Sequence, residues 1–336
     1  MKAFINKKTC SLWGTALMCM AAFTLIACGS DDDDEGGSGN TPSGPVVTYN
    51  GNLITYNGDS YFSYDEKGRC VKITNEDEIW TIDYEKGILY EGYTDDEDLV
   101  LPMQIAFTKE GYIKKLFAEI QENVDGVNVK ISGTVNIEYD SNGHVTSGTS
   151  NLTTTAKAGA ATYTQYSKSS CKYTWEGDLM TKSVCDEEEA EEGEKWTSYS
   201  TCVITYGDTE NKYRQWSHSF DNCSYMADYL GFVGLLGKAP SKFIQSYVEK
   251  ETSTYNDGDP RTDEYTYNVT CDLNNAGIIN TEKIGYQIYQ YQYDSYSRSA
   301  TRAVANSQRC SSRPLFLNAK ELKKRIHDVA TKVNKQ

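Results

Sequence analysis

The sequence predicts a mainly β protein: an extended, curved antiparallel sheet with a short helical insertion near residues 222–238 and a C-terminal helix. Three observations predict it. Tyrosine appears 26 times and proline only 6 times in 336 residues. Long stretches are rich in Thr, Val, Ile and Tyr, which suit pleated, half-buried surfaces. A short turn pattern also returns along the chain between segments of alternating apolar and polar residues.

The chain opens with Lys2, Lys7 and Lys8 and an apolar run from Ser11 to Ile26. This is the layout of a secretory signal over residues 1–27. The run is shorter than the roughly 20 apolar residues of a membrane-crossing helix and closes on an acidic tract rather than a basic one. Leu25-Ile26-Ala27-Cys28 resembles the lipobox of bacterial lipoproteins, in which the cysteine is acylated and becomes the first residue after cleavage. Acyl chains bury about 0.8 kcal/mol per CH2, so several on Cys28 hold a protein at a membrane without a spanning helix.

Ser30, Asp31, Asp32, Asp33, Asp34 and Glu35 follow at once. They resemble the export signal of Bacteroidetes-type lipoproteins, which implies an outer-membrane location facing the cell exterior; the alternative is a solvated acidic linker. Residues 28–45 thus read as lipidated cysteine, acidic signal and a Gly/Ser/Asn/Pro tether. The folded domain is expected over 46–293.

Within that domain Tyr61-Phe62-Ser63-Tyr64-Asp65-Glu66-Lys67-Gly68-Arg69-Cys70 reads as a hairpin. Asp65 starts the turn through its side-chain oxygen and Gly68 supplies a left-handed residue. The pattern returns around Gly87, Gly111 and Gly143, and more weakly around Gly177 and Gly277. Repetition at irregular spacing predicts hairpins laid side by side in one sheet.

Tyr64-Asp65-x-x-Gly68-Arg69 is similar to the motif of YD (Rhs-type) repeats. With the lipobox, acidic run and tether, the chain resembles a family of uncharacterised Bacteroidetes surface lipoproteins built from YD-like hairpins. Leu230 to Lys242 is similar to the short helical insertion of that family. The resemblance implies a fold and a location and carries over no catalytic residue.

Residues 294–317 are polar and rich in Ser and Arg, a composition that predicts disorder. Asn318 and Glu321 can cap a helix over 318–334 that places Leu322, Ile326, Val329 and Val333 on one face. That helix either docks on its own domain or binds a membrane surface or another protein. The net charge is −15, but residues 295–336 carry +8 and the signal segment +3, which leaves −26 for residues 28–294. Nucleic acid is therefore excluded as a partner of the body.

No catalytic, metal or cofactor motif is present in the sequence. His144, His218 and His327 read as surface or turn histidines. Cys185 and Cys202 are candidate disulfide partners on neighbouring strands, the alternative being that the cysteines are small buried apolar residues. Tyr289, Tyr291 and Tyr293 share one strand face and are candidates for stacking on a ligand, with a core role as the alternative. The expected function is a non-enzymatic, lipid-anchored surface module that binds an unknown protein or glycan, the glycan version serving polysaccharide uptake; an unrecognised hydrolase acting through a carboxylate pair is the remaining expectation.

Overall fold

The computed structural model describes residues 44–296 apart from 77, 94–99, 125–126, 159–160, 192, 225–228 and 257. Cys28, the run from Ser30 to Glu35, His327 and the helix expected over 318–334 lie outside the described residues.

Seventeen strands form one sheet. Five short strands come first: β1 (Asn52–Tyr56), β2 (Tyr61–Tyr64), β3 (Cys70–Thr74), β4 (Glu78–Asp83) and β5 (Ile88–Tyr93). Longer ones follow: β6 (Val100–Phe107), β7 (Ile113–Val124), β8 (Val127–Tyr139), β9 (Val145–Ala158), β10 (Ala161–Glu176), β11 (Leu179–Glu191) and β12 (Glu194–Glu210). An insertion carrying helix α1 (His218–Ser224) precedes β13 (Lys242–Tyr255), β14 (Arg261–Leu273), β15 (Ile279–Ile284), β16 (Gln287–Gln290) and β17 (Gln292–Ser295).

From β1 to β16 each strand pairs antiparallel with the next in sequence. β17 then pairs back with β1, Ile54 opposite Tyr293. Between β16 and β17, the Tyr291 N–H donates to the Asn280 carbonyl at 3.0 Å. One strand path therefore leaves β15 and arrives at β1, and the curved sheet nearly closes into a barrel-like ring. Near-closure reduces the unpaired edge that an open sheet would present to other chains.

The six predicted turns are all present. Asp65 Oδ1 accepts the N–H groups of Lys67 and Arg69 at 2.9 Å each. Asp140 does the same for Asn142 and His144 at 2.8 and 2.9 Å. Gly68, Gly87, Gly111, Gly143, Gly177 and Gly277 all have positive φ, which glycine alone adopts without penalty. Because the strands run up and down, alternate turns fall at the same end, and these six line one rim. Gly44 lies against Tyr84 and Pro45 against Gly111 on that rim, so the last residues of the tether lie there.

The insertion, residues 211–241, returns to the same rim, where the Ser241 N–H donates to the Asp178 carbonyl at 3.0 Å. It fills the inside of the ring. Tyr49 donates its hydroxyl to the Phe232 carbonyl at 2.9 Å, Ile113 its N–H to the Leu235 carbonyl at 2.8 Å, and Tyr173 its hydroxyl to the Ser224 carbonyl at 2.6 Å. Leu230, Phe232, Leu235 and Leu236 are completely buried in the same core as Ile54, Trp80, Leu116 and Tyr247. Each such side chain contributes about 1.5–3 kcal/mol by leaving water. The α-helix of the insertion begins at His218, earlier than the 222 expected, and Tyr229 to Leu236 form turns rather than helix.

The other face of the sheet is polar. Outward positions of β8 carry Asn128, Lys130, Ser132, Thr134, Asn136 and Glu138, paired with Lys157, Thr155, Thr153, Asn151, Thr149 and Ser147 of β9. A strand that crosses a bilayer presents an apolar band there, about 25 Å tall. The outside of β8 and β9 is built to face water.

Candidate functional site

Two buried polar clusters contain histidine, and both are occupied by structural contacts. In the first, Glu282 of β15 is completely buried. Its carboxylate accepts from His218 N–H (2.8 Å), Ser219 N–H (3.2 Å), Ser219 Oγ (2.5 Å), Tyr291 Oη (2.8 Å) and Cys271 Sγ (3.9 Å). Five donors satisfy the charge of a buried carboxylate. They also satisfy backbone N–H groups that a helix start leaves open. His218 lies 2.7 Å from the Asn57 carbonyl through Nε2, and its ring stacks on Tyr289 at 3.8 Å. A serine, a histidine and a glutamate thus meet in the core as a helix cap.

The second cluster joins two turns to the insertion. His144 Nδ1 lies 3.1 Å from Asp140 Oδ2, and Nε2 lies 3.2 Å from Asp178 Oδ1, near enough for an ion pair but off the hydrogen-bond axis. The ring stacks on Trp175 at 4.2 Å. Asp178 also holds Arg214 of the insertion. Both histidines were expected at the surface or in turns. His144 does lie in a turn, but it is buried; His218 begins a helix inside the barrel. Each has polar partners brought from distant strands, which is what lets an imidazole be buried.

Two further expectations are corrected. Tyr291 belongs to the core, and Tyr289 and Tyr293 are partly buried against it. Tyr291 is 5% exposed, Tyr289 covers His218, and Tyr293 donates its hydroxyl to the Ile279 carbonyl at 2.7 Å. The wet face of that stretch is the opposite one, where Ile288 stands 62% exposed. The disulfide joins Cys171 to Cys185, and Cys202 is a free thiol. The β10–β11 turn puts Cys171 directly opposite Cys185, whereas the next turn puts Cys185 opposite Ser200 and Cys202 opposite Ser183. Cys202 is displaced by two residues from the position a bridge to Cys185 would need.

A concave feature with ligand-binding chemistry among the described residues is a groove of about 650 Å³ on the outer face of β9 to β13. Strand register builds it from two rows. Asn151, Lys168, Glu188, Thr197 and Thr254 lie side by side across five strands. Two residues further along each strand, Thr149, Ser170, Asp186, Tyr199 and Thr252 form the second row. Neighbouring strands are about 4.8 Å apart, so each row spans about 19 Å. Tyr199 is the aromatic member and is 47% exposed.

Charges in the groove are held in place. Glu188 accepts a hydrogen bond from the Tyr166 hydroxyl and an ion pair from Lys195 at 3.0 Å. Those two contacts, the tyrosine first, keep its carboxyl below the usual carboxylate range. Lys168 lies over the Tyr166 ring at 4.6 Å. The groove offers a half-exposed ring face, hydroxyls, an amide, two carboxylates and an ammonium group at regular spacing. Sequence reasoning missed these residues because Thr and Ser at alternate positions of β9, β10, β12 and β13 read as an ordinary solvated face. The one signal was Tyr199 standing among them.

No family model and no curated protein matches the chain, and the YD-type resemblance gains no support from them. Solved structures similar to it include two porin-like proteins. A porin-like protein from Bacteroides vulgatus ATCC 8482 has 11% identity and a TM-score of 0.42, over 73% of this chain and 100% of that one. A porin-like protein from Bacteroides uniformis ATCC 8492 has 13% identity and a TM-score of 0.23, over 65% of this chain and 96% of that one. Neither likeness is close enough to give this chain a family.

Proposed function

We propose that this chain is a lipid-anchored outer-membrane protein, facing the cell exterior, that acts as a non-enzymatic binding module. Cys28 is its anchor, residues 30–35 its export signal, and residues 36–45 lead to the rim of tight turns. The reading is carried by the groove at Tyr199, where two five-residue rows of polar side chains include one exposed ring on a polar sheet face. The buried carboxylate of the core, Glu282, is occupied by donors of its own chain.

The same groove favours a glycan as the ligand. A pyranose has an apolar C–H face that lies flat on a tyrosine ring and a rim of hydroxyls that pair with Asn, Asp, Glu and Thr side chains. Cross-strand spacing of about 4.8 Å is on the order of one sugar ring, so successive strands meet successive sugars of a linear chain. A protein partner is the second reading, favoured by the paired charges of Lys168, Lys195 and Glu188.

A polysaccharide array and calorimetry test this on wild type, Tyr199→Ala and Asp186→Ala. Wild type is expected to bind a neutral or amino-substituted polysaccharide, with at least a tenfold loss in each variant and an unchanged melting temperature. Equal binding by Tyr199→Ala overturns the groove as the site. A wild type that binds no polysaccharide overturns the glycan class. Location is tested by protease shaving of intact cells with Asp31 to Asp34 changed to Ala; undiminished accessibility overturns the acidic run as an export signal.

A further inference from the structure

We propose that Cys202 and Cys223 form a second disulfide in the exported protein, which fastens the insertion to the barrel wall. The inference rests on the reading that the chain is exported, since disulfides persist in oxidising compartments. Cys202 of β12 and Cys223 of α1 are free thiols, both buried in the common core. Ser183 of β11 fixes their relation. It sits directly opposite Cys202 in the sheet and donates its hydroxyl to the Cys223 carbonyl at 2.5 Å. The Cys223 thiol is raised first by burial and then by its neighbour Cys202, and both thiols lie near the hydroxyls of Tyr206 and Tyr247. A single cluster therefore holds two thiols, one on the wall and one on the insertion.

The bridge forms by thiol–disulfide exchange with a disulfide donor of the export compartment. One thiol loses its proton, and its thiolate attacks a donor sulfur to give a mixed disulfide and one donor thiolate. The second cysteine, likewise deprotonated, attacks the protein-side sulfur of that mixed disulfide and expels the second donor thiolate. Two protein thiols are oxidised and one donor disulfide is reduced. Burial raises the Cys223 thiol well above its ordinary value, so the exchange belongs to the folding chain, before the insertion is seated and while the thiols meet solvent. Cys70 lies in the same core and Cys271 against it; among the described residues neither is disulfide-bonded, and both stay reduced.

The test is a peptide map of the full chain taken from the membranes of cells that export it, unfolded and alkylated without reductant. The expected result is one peptide pair linking Cys202 to Cys223, a second linking Cys171 to Cys185, and alkylation of Cys70, Cys271 and Cys310. If Cys171 is bridged to Cys185 while Cys202 and Cys223 are alkylated, this proposal fails and export stands. If all of them are alkylated, both the bridge and the export reading fail. A link from Cys202 to Cys185 also overturns it. A second measurement uses the Cys171→Ser/Cys185→Ser variant refolded with oxidised glutathione: its intact mass is expected to be two hydrogens lighter than that of the reduced chain, and an unchanged mass overturns the proposal.

Discussion

The carboxylate of Glu282, in the middle of β15, receives the backbone N–H of His218 at 2.8 Å across 64 residues of sequence. A strand thereby caps a helix that lies inside the ring. Changing Glu282 to Ala strands buried donors at His218, Ser219 and Tyr291, and it is expected to cost about 3–5 kcal/mol. Urea unfolding of the variant measures this. A loss below about 1 kcal/mol would mean that the insertion is held by its apolar packing alone.

Acid is expected to loosen the rim at His144. Asp140 titrates below the ordinary aspartate value: partial burial pulls it upward, but hydrogen bonds from the His144 backbone and ring and from Asn142 outweigh that pull. Asp178 is lowered chiefly by its hydrogen bond from Arg214. A carboxyl lowered in the folded state adds stability above its unfolded pKa of about 3.9, and that stability is lost as the pH falls through the folded value. Melting temperatures between pH 5 and pH 2 should fall less steeply in Asp140→Asn than in wild type. Parallel curves would remove Asp140 from the acid response.

Thiol labelling reports on core packing. Burial pushes the Cys70 thiol up to about 12, so almost none of it is thiolate at pH 8, and it lies 1% exposed. Iodoacetamide is expected to leave Cys70 unmodified in the native protein and to modify it fully in guanidinium, read by peptide mass. Native labelling at the unfolded rate would place Cys70 outside the core.

Glycines on the same rim should differ in their tolerance. A side chain at Gly237 would bring Cβ to 2.5 Å from the Gly143 carbonyl oxygen at a φ of +80°, whereas Gly177 has open space around it at +59°. Gly237→Ala is expected to lose about 1–3 kcal/mol through strain and the displaced contact. Gly177→Asn should lose less than about 1 kcal/mol, because asparagine tolerates the left-handed region. Equal losses in urea unfolding would contradict a close fit between the insertion and the β8–β9 turn.

The hairpins were legible because they are local. Asp65, Gly68 and the alternation around them lie within a dozen residues, and the same holds at Asp140 and Gly143. The turns at Gly177 and Gly277 carried a weaker pattern and still formed. The groove was not legible in this way. Tyr199, Asp186 and Lys168 become neighbours only through the register of successive long strands, and that register is set by where each turn is centred. A two-residue difference in register also decided that Cys171, not Cys202, reached Cys185.

By itself the sequence determined the class of fold, the turns, and which residues share a strand face, since period-two alternation and turn chemistry are properties of a short segment. Only the tertiary structure decided which face is wet. Tyr289, Tyr291 and Tyr293 share a face in either case; Tyr291 is buried and the other two partly buried because β17 meets β1 and the insertion fills the ring behind them. Ring closure joins residues near 52 to residues near 295, and burial depends on what such distant segments place against one another. Alternation along a strand carries no record of that.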